Sequence, residues 1–166
     1  MHRPSPTPTE RGQESVWDYP RPPIVVPSER HVRIEHAGVV VADTSAALRV
    51  LETASPPAWY LPASDVRGDL LELVNGARSY CEWKGSASYF DLVVDGMRAA
   101  LVAWTYDAPN PRYAALAGRI AFFAGRVSRA SVDGEIVRPQ PGGFYGGWVT
   151  DDVAGPFKGE PGSEGW

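Results

Sequence analysis

Polar and apolar residues alternate one by one along His31-Val32-Arg33-Ile34-Glu35-His36. That is the period of a strand with one buried face. Ala37-Gly38 supplies a turn, and Val39-Val40-Val41-Ala42 returns as the partner strand. Asp95-Gly96 separates Leu92-Val93-Val94 from Met97-Arg98-Ala99, and Asp133-Gly134 separates Ser131-Val132 from Glu135-Ile136-Val137. Asp-Gly between strand-like runs signals a tight hairpin, because a type I′ turn needs positive φ at both central residues. Three such hairpins predict an antiparallel sheet. Ile120-Ala121-Phe122-Phe123 reads as a buried strand. Helical pattern is scarce. The capping oxygens of Asp43-Thr44-Ser45 before Ala46 to Glu52 predict about two helical turns. Ser64 to Arg67 and Tyr113 to Ala117 predict two shorter ones, the last ended by Gly118. The fold class that follows is mainly β, a compact antiparallel hairpin domain with one to three short helical turns.

Composition divides the chain. It holds 166 residues, 43% of them hydrophobic and 22% charged, enough for one domain with a real core. Residues 1–14 are polar and Pro-rich and read as a disordered tail. Residues 15–138 form the expected β-rich domain. It includes a Pro-rich arm, 16–27, whose Trp17 and Tyr19 are expected to lie hidden against their own domain. Residues 139–166 mix glycines with aromatics. This extension is expected to pack on the domain through Phe144, Tyr145, Trp148 and Phe157.

Charge and cysteine usage narrow the functions. The net charge is −4 and no basic run occurs, which argues against nucleic acid and against an anionic membrane surface. The first residues carry no apolar signal-peptide core, and no apolar run is long enough to span a bilayer, so a cytoplasmic location is expected. Cys81 is the one cysteine, so neither an internal disulfide nor a cysteine-built zinc site is available. His31 and His36 are five apart and face opposite ways on a regular strand, so they make no metal pair. No metal or cofactor is expected, and standard phosphate-loop and hydrolase motifs are missing.

The candidate chemistry centres on Ser79-Tyr80-Cys81-Glu82-Trp83-Lys84-Gly85. A nucleophilic Cys81 needs a cation or base beside it, and Lys84 is the nearest candidate, with Arg67, Arg78 and Lys158 as others. In a regular strand Cys81 and Trp83 share one face while Tyr80, Glu82 and Lys84 share the other. A turn at Lys84-Gly85 would instead bring Cys81 and Lys84 together. Trp59, Tyr60, Tyr80, Trp83, Tyr89, Trp104 and Tyr106 crowd the central half. They are either core or the walls of a pocket anchored by Glu52, Arg67 and Lys84.

Val39 to Thr44, Arg49 to Glu52, Pro56-Pro57-Ala58-Trp59-Tyr60-Leu61-Pro62, Asp65-Val66-Arg67 and Cys81 to Tyr89 form an ordered series. Together they resemble the bacterial domain of unknown function 427 family, from about Val32 to Val137. The Gly-Phe-Tyr-Gly-Gly-Trp tail resembles that of an actinobacterial subgroup. The resemblance implies a β-tent-like domain, here without zinc. It also implies an aromatic cradle formed by Tyr80 to Lys84 with Trp59, Tyr60 and Trp104. The family's nucleotidyltransferase-like label finds no phosphate-cradling loop in this sequence.

Three functions stand side by side. The first is a small-molecule-binding domain with Glu52, Arg67 and Lys84 as anchors. The second is an enzyme using Cys81 as nucleophile or redox thiol, with Glu82 and Lys84 beside it. The third is a structural or protein-interaction module. Oligomeric state is not legible in the sequence.

Overall fold

The computed structural model describes residues 2–166. Fifteen strands follow in chain order. The first six are β1 (Glu14–Ser15), β2 (Ile24–Ser28), β3 (Val32–His36), β4 (Val39–Thr44), β5 (Ala47–Leu51) and β6 (Ala58–Leu61). The central four are β7 (Leu71–Cys81), β8 (Gly85–Val94), β9 (Met97–Thr105) and β10 (Ile120–Phe122). The last five are β11 (Arg129–Val132), β12 (Glu135–Ile136), β13 (Arg138–Pro139), β14 (Trp148–Val149) and β15 (Val153–Ala154). The helical segments are short 3-10 turns, among them Ala63–Asp65, Gly68–Leu70 and Pro111–Leu116.

The protein is therefore mainly β and antiparallel. A seven-stranded sheet runs β2-β5-β6-β10-β9-β8-β7, and a four-stranded sheet runs β12-β11-β3-β4. The parallel two-residue pair β1–β15 joins the two ends of the chain. The three hairpins form where local sequence places them. Ala37-Gly38, Asp95-Gly96 and Asp133-Gly134 each carry positive φ at both residues, as a type I′ turn requires.

One local expectation is overturned. Residues 43–52 form no helix: Asp43 and Thr44 end β4, and Ala47–Leu51 is strand β5. Ala, Leu, Arg and Glu favour helix in isolation. Here β5 sits between β2 and β6 and makes ladders to both, from Leu48↔Pro27 on one side to Leu48↔Tyr60 on the other. Two ladders of backbone hydrogen bonds outweigh tenths of a kcal/mol per residue of propensity.

The main core lies between the two large sheets. Val32, Ile34, Val41, Ala130 and Val132 of the smaller sheet meet Trp59, Leu61, Leu92, Val102 and Phe122 of the larger one. Trp148 of the C-terminal extension completes this core, stacked on Trp59 with ring centroids 6.0 Å apart. The opposite face of the larger sheet carries a second cluster, including Val50, Tyr60, Ala87, Trp104, Tyr106 and Tyr113.

The arm tucks in its rings. Trp17 and Tyr19 are buried with Val16, Leu51, Ala54 and Val153. Residues 2–13 contain no helix or strand. Thr7 N–H donates to the Gly155 carbonyl at 2.8 Å, and Glu14 N–H donates to Asp152 at 2.8 Å. Of the four aromatics expected to hold the extension, Trp148 is fully buried and Phe157 is half-buried. Phe144 and Tyr145 are exposed and pack edge-to-face on one another, 4.9 Å apart. No helix of the described residues is long and apolar enough to cross a membrane.

Candidate functional site

A half-open cavity of about 350 Å³ lies on the second face of the larger sheet. Its floor is aromatic. Tyr60 of β6, Tyr89 of β8 and Trp104 of β9 point the same way because their strands pair Tyr60↔Ala121↔Trp104↔Tyr89 in register. Tyr106 and Phe123, just beyond β9 and β10, extend the floor. The rings interlock: Trp104 lies 4.6 Å from Phe123, and Tyr60 lies 6.0 Å from Trp104 and 6.2 Å from Tyr106. Their polar tips bond to neighbouring side chains. Trp104 Nε1–H donates to Tyr60 Oη at 3.1 Å, and Ser79 Oγ and Tyr89 Oη share a hydrogen bond of 2.6 Å.

The first wall is the turn between β7 and β8. Cys81 pairs with Gly85, so Glu82, Trp83 and Lys84 form a tight connection rather than a strand. The strict two-face division of residues 79–85 therefore fails after Cys81. The turn brings the Lys84 ammonium beside the Cys81 thiol and 5.9 Å from the Tyr106 ring centroid. Asn110 fixes the turn from below. Its Nδ2 donates to the Trp83 carbonyl at 2.7 Å, and its N–H donates to the Lys84 carbonyl at 2.9 Å.

Glu52, Ser55 and Pro56, which follow β5, make the second wall. The third comes from the C-terminal extension, with Gln140, Tyr145, Gly146, Gly147 and Lys158.

Eight of the ten residues expected from the sequence to be catalytic or ligand-binding line this cavity: Glu52, Tyr60, Tyr80, Cys81, Glu82, Trp83, Lys84 and Trp104. Tyr80 contributes least, being 75% exposed. The other two lie elsewhere. Trp59 is buried in the main core on the far side of the sheet, because alternation along β6 sends it opposite to Tyr60. Arg67 is exposed and makes a bidentate pair with Asp69, at 2.9 and 2.8 Å. It anchors nothing in the cavity. Ser79, Tyr89, Tyr106 and Lys158, which the sequence also raised, line it as well, whereas sequence reasoning missed Phe123, Gln140 and Tyr145 as cavity residues.

One overlooked signal is composition. Lys84 and Lys158 are the chain's two lysines, against a surplus of arginine. Both line this cavity. Among the described residues, seven arginines are ion-paired, whereas neither lysine has a carboxylate oxygen within 4.0 Å.

Burial alone would push Lys84 down. The Tyr60, Cys81 and Glu52 side chains outweigh it and hold the ammonium above the ordinary lysine value. Burial raises both the Tyr60 and Tyr106 phenols, so they stay protonated and neutral at physiological pH. The result is an aromatic floor of interlocking, mutually tilted rings with neutral hydroxyls, one ammonium at the turn beside Cys81 and a second one on the extension. Among the described residues no group of three His, Cys, Asp or Glu side chains gathers to hold a metal ion.

Residues 24–135 match the model of a family described as a domain of unknown function (DUF427). The chain belongs to that family. No curated protein matches the sequence. The DUF427 region supplies the floor of the cavity, the β7–β8 turn and the Glu52 wall. The wall from Gln140 to Lys158 lies beyond it.

Proposed function

We propose that the cavity binds a small molecule with a flat apolar body and an anionic group, the body lying against the more accessible rings of Trp83, Tyr89 and Tyr145 and the anion held by Lys84. One observation carries this reading: a half-buried ammonium without a carboxylate partner faces an aromatic floor. Taking a charge partly out of water is unfavourable unless neighbours offset it, and Tyr60, Cys81 and Glu52 already do so for Lys84. A ligand anion adds a direct ion pair, and stacking on the rings supplies apolar contact.

Thermal-shift titration with aromatic carboxylates and phosphates, such as 2-naphthoate and phenyl phosphate, tests the reading. A ligand at a hundred times its Kd stabilises the native state by about 2.7 kcal/mol. Stabilisation of the wild type that disappears in Lys84→Met supports it. Equal shifts in both proteins reject it.

A second reading rests on the turn that seats Lys84 beside Cys81. In it the ammonium supports a thiolate nucleophile or redox thiol at Cys81. Iodoacetamide should then alkylate Cys81 markedly faster in the wild type than in Lys84→Met. Unchanged alkylation rates across the pH range would remove this reading.

A further inference from the structure

The wall contributed by the C-terminal extension is built as firmly as the strands. Gln140 is buried, and its Nε2 donates to the Lys158 carbonyl at 2.8 Å. Its Oε1 accepts from Gly147 N–H at 2.9 Å. Trp148 N–H donates to the Pro57 carbonyl at 2.8 Å, and Lys158 N–H donates to the Ala54 carbonyl at 2.7 Å. Gly146 lies so close to the cavity floor that a Cβ there would come within 2.1 Å of the Trp104 ring. The extension is thus keyed to the floor at one end and to the loop after β5 at the other. The side chain it offers the cavity is a second lysine, over the Tyr145 ring at 5.2 Å and without a carboxylate within 4.0 Å among the described residues.

We infer that this extension, which lies beyond the DUF427 match, sets the ligand specificity of the cavity: Lys158 selects a flat ligand carrying a second anionic group besides the one held by Lys84. The inference rests on the binding reading above and adds the charge of the ligand to it. Lys84 and Lys158 stand on separate walls of one cavity, the first over the Tyr106 ring and the second over the Tyr145 ring. A dianion satisfies both, and a monoanion leaves one unmatched. Complementary charge acts chiefly through such discrimination.

The test uses the full chain and its two lysines. Reductive methylation with 13C-formaldehyde keeps their charge and yields one side-chain NMR signal for each, assigned with Lys84→Arg and Lys158→Arg. The probes are 2-naphthoate and naphthalene-2,6-dicarboxylate. The expected result is that the dicarboxylate moves both signals and binds about tenfold tighter than the monocarboxylate, the effect of one added ion pair of modest strength. Lys158→Met should bring that ratio to about one while leaving 2-naphthoate affinity in place. If both probes bind equally and move the Lys84 signal alone, the specificity inference fails and the binding reading survives. If neither probe moves either signal, both fail.

Discussion

Trp59 and Tyr60 are neighbours in β6, yet they belong to opposite sides of one sheet with opposite chemistry. Trp59 faces the smaller sheet, among Val, Ile, Leu and Phe side chains and the stacked ring of Trp148. The polar atom of that neighbouring Trp148 is spent on backbone: its Nε1–H donates to the Phe122 carbonyl at 2.9 Å. Tyr60 faces the cavity, where polar tips bond to other side chains and two ammonium groups lack carboxylates. A polar group bonded to rigid backbone is locked in place. One bonded to another side chain can exchange that partner for a ligand. The comparison separates a face closed against a second sheet from a face that carries a half-open cavity.

The largest effect should come from the closed face. Trp148→Ala removes the ring stacked on Trp59 and opens a void in the core, which should destabilise the protein by about 3–5 kcal/mol in urea unfolding. A loss under about 1 kcal/mol would mean that the extension is not integral to that face. Next is Gly146→Ala, whose new methyl collides with Trp104. Overpacking should cost about 1–3 kcal/mol and shift the Lys158 side-chain resonance as the extension lifts. Tyr60→Phe leaves the buried Trp104 indole N–H without its acceptor, for a loss of about 1–2 kcal/mol by chemical denaturation. If Tyr60→Phe costs nothing, the hydroxyls of the cavity face are not structural.

A smaller, pH-dependent signature belongs to Lys84. Its native pKa lies above the ordinary lysine value of 10.5, so the native state favours the charged form. Stabilisation of that kind is fully present below the unfolded pKa and is lost as pH rises through the native one. The stability of the wild type relative to Lys84→Met should therefore decline as pH climbs past 10.5, measured by urea titration across alkaline buffers. A difference that widens with pH would contradict the assignment. Smallest of all is Arg67→Ala. This exposed pair lies outside the cavity, so ligand titration should show unchanged affinity. A weakened ligand would return Arg67 to the site.

Much of this comparison is visible along the chain, and its gaps have causes. The hairpins at Ala37-Gly38, Asp95-Gly96 and Asp133-Gly134 are legible because a type I′ turn is a local φ preference. Strand β5 is not, because its helix-favouring residues are overruled by ladders to two partners distant in sequence. Trp59 illustrates a different error. Aromatic clustering groups it with Tyr60, whereas the period of two already separates them once residues 58–61 are read as a strand. Lys158 could be raised only as one of several possible cations, since nothing local ties it to Lys84.

The sequence by itself determined the antiparallel β character, the hairpin turns and the aromatic, cysteine and lysine chemistry of the 79–85 segment. These follow from backbone preferences and side-chain alternation over a few residues. Only the tertiary structure decided which face of the larger sheet meets the smaller one. It also decided that a turn at Glu82 to Lys84 sets the Lys84 ammonium beside Cys81, and that the extension returns to place Lys158 in the wall of the same cavity. Those outcomes depend on contacts between segments far apart in the chain. Their stability comes from burial and pairing after collapse, which no local preference encodes.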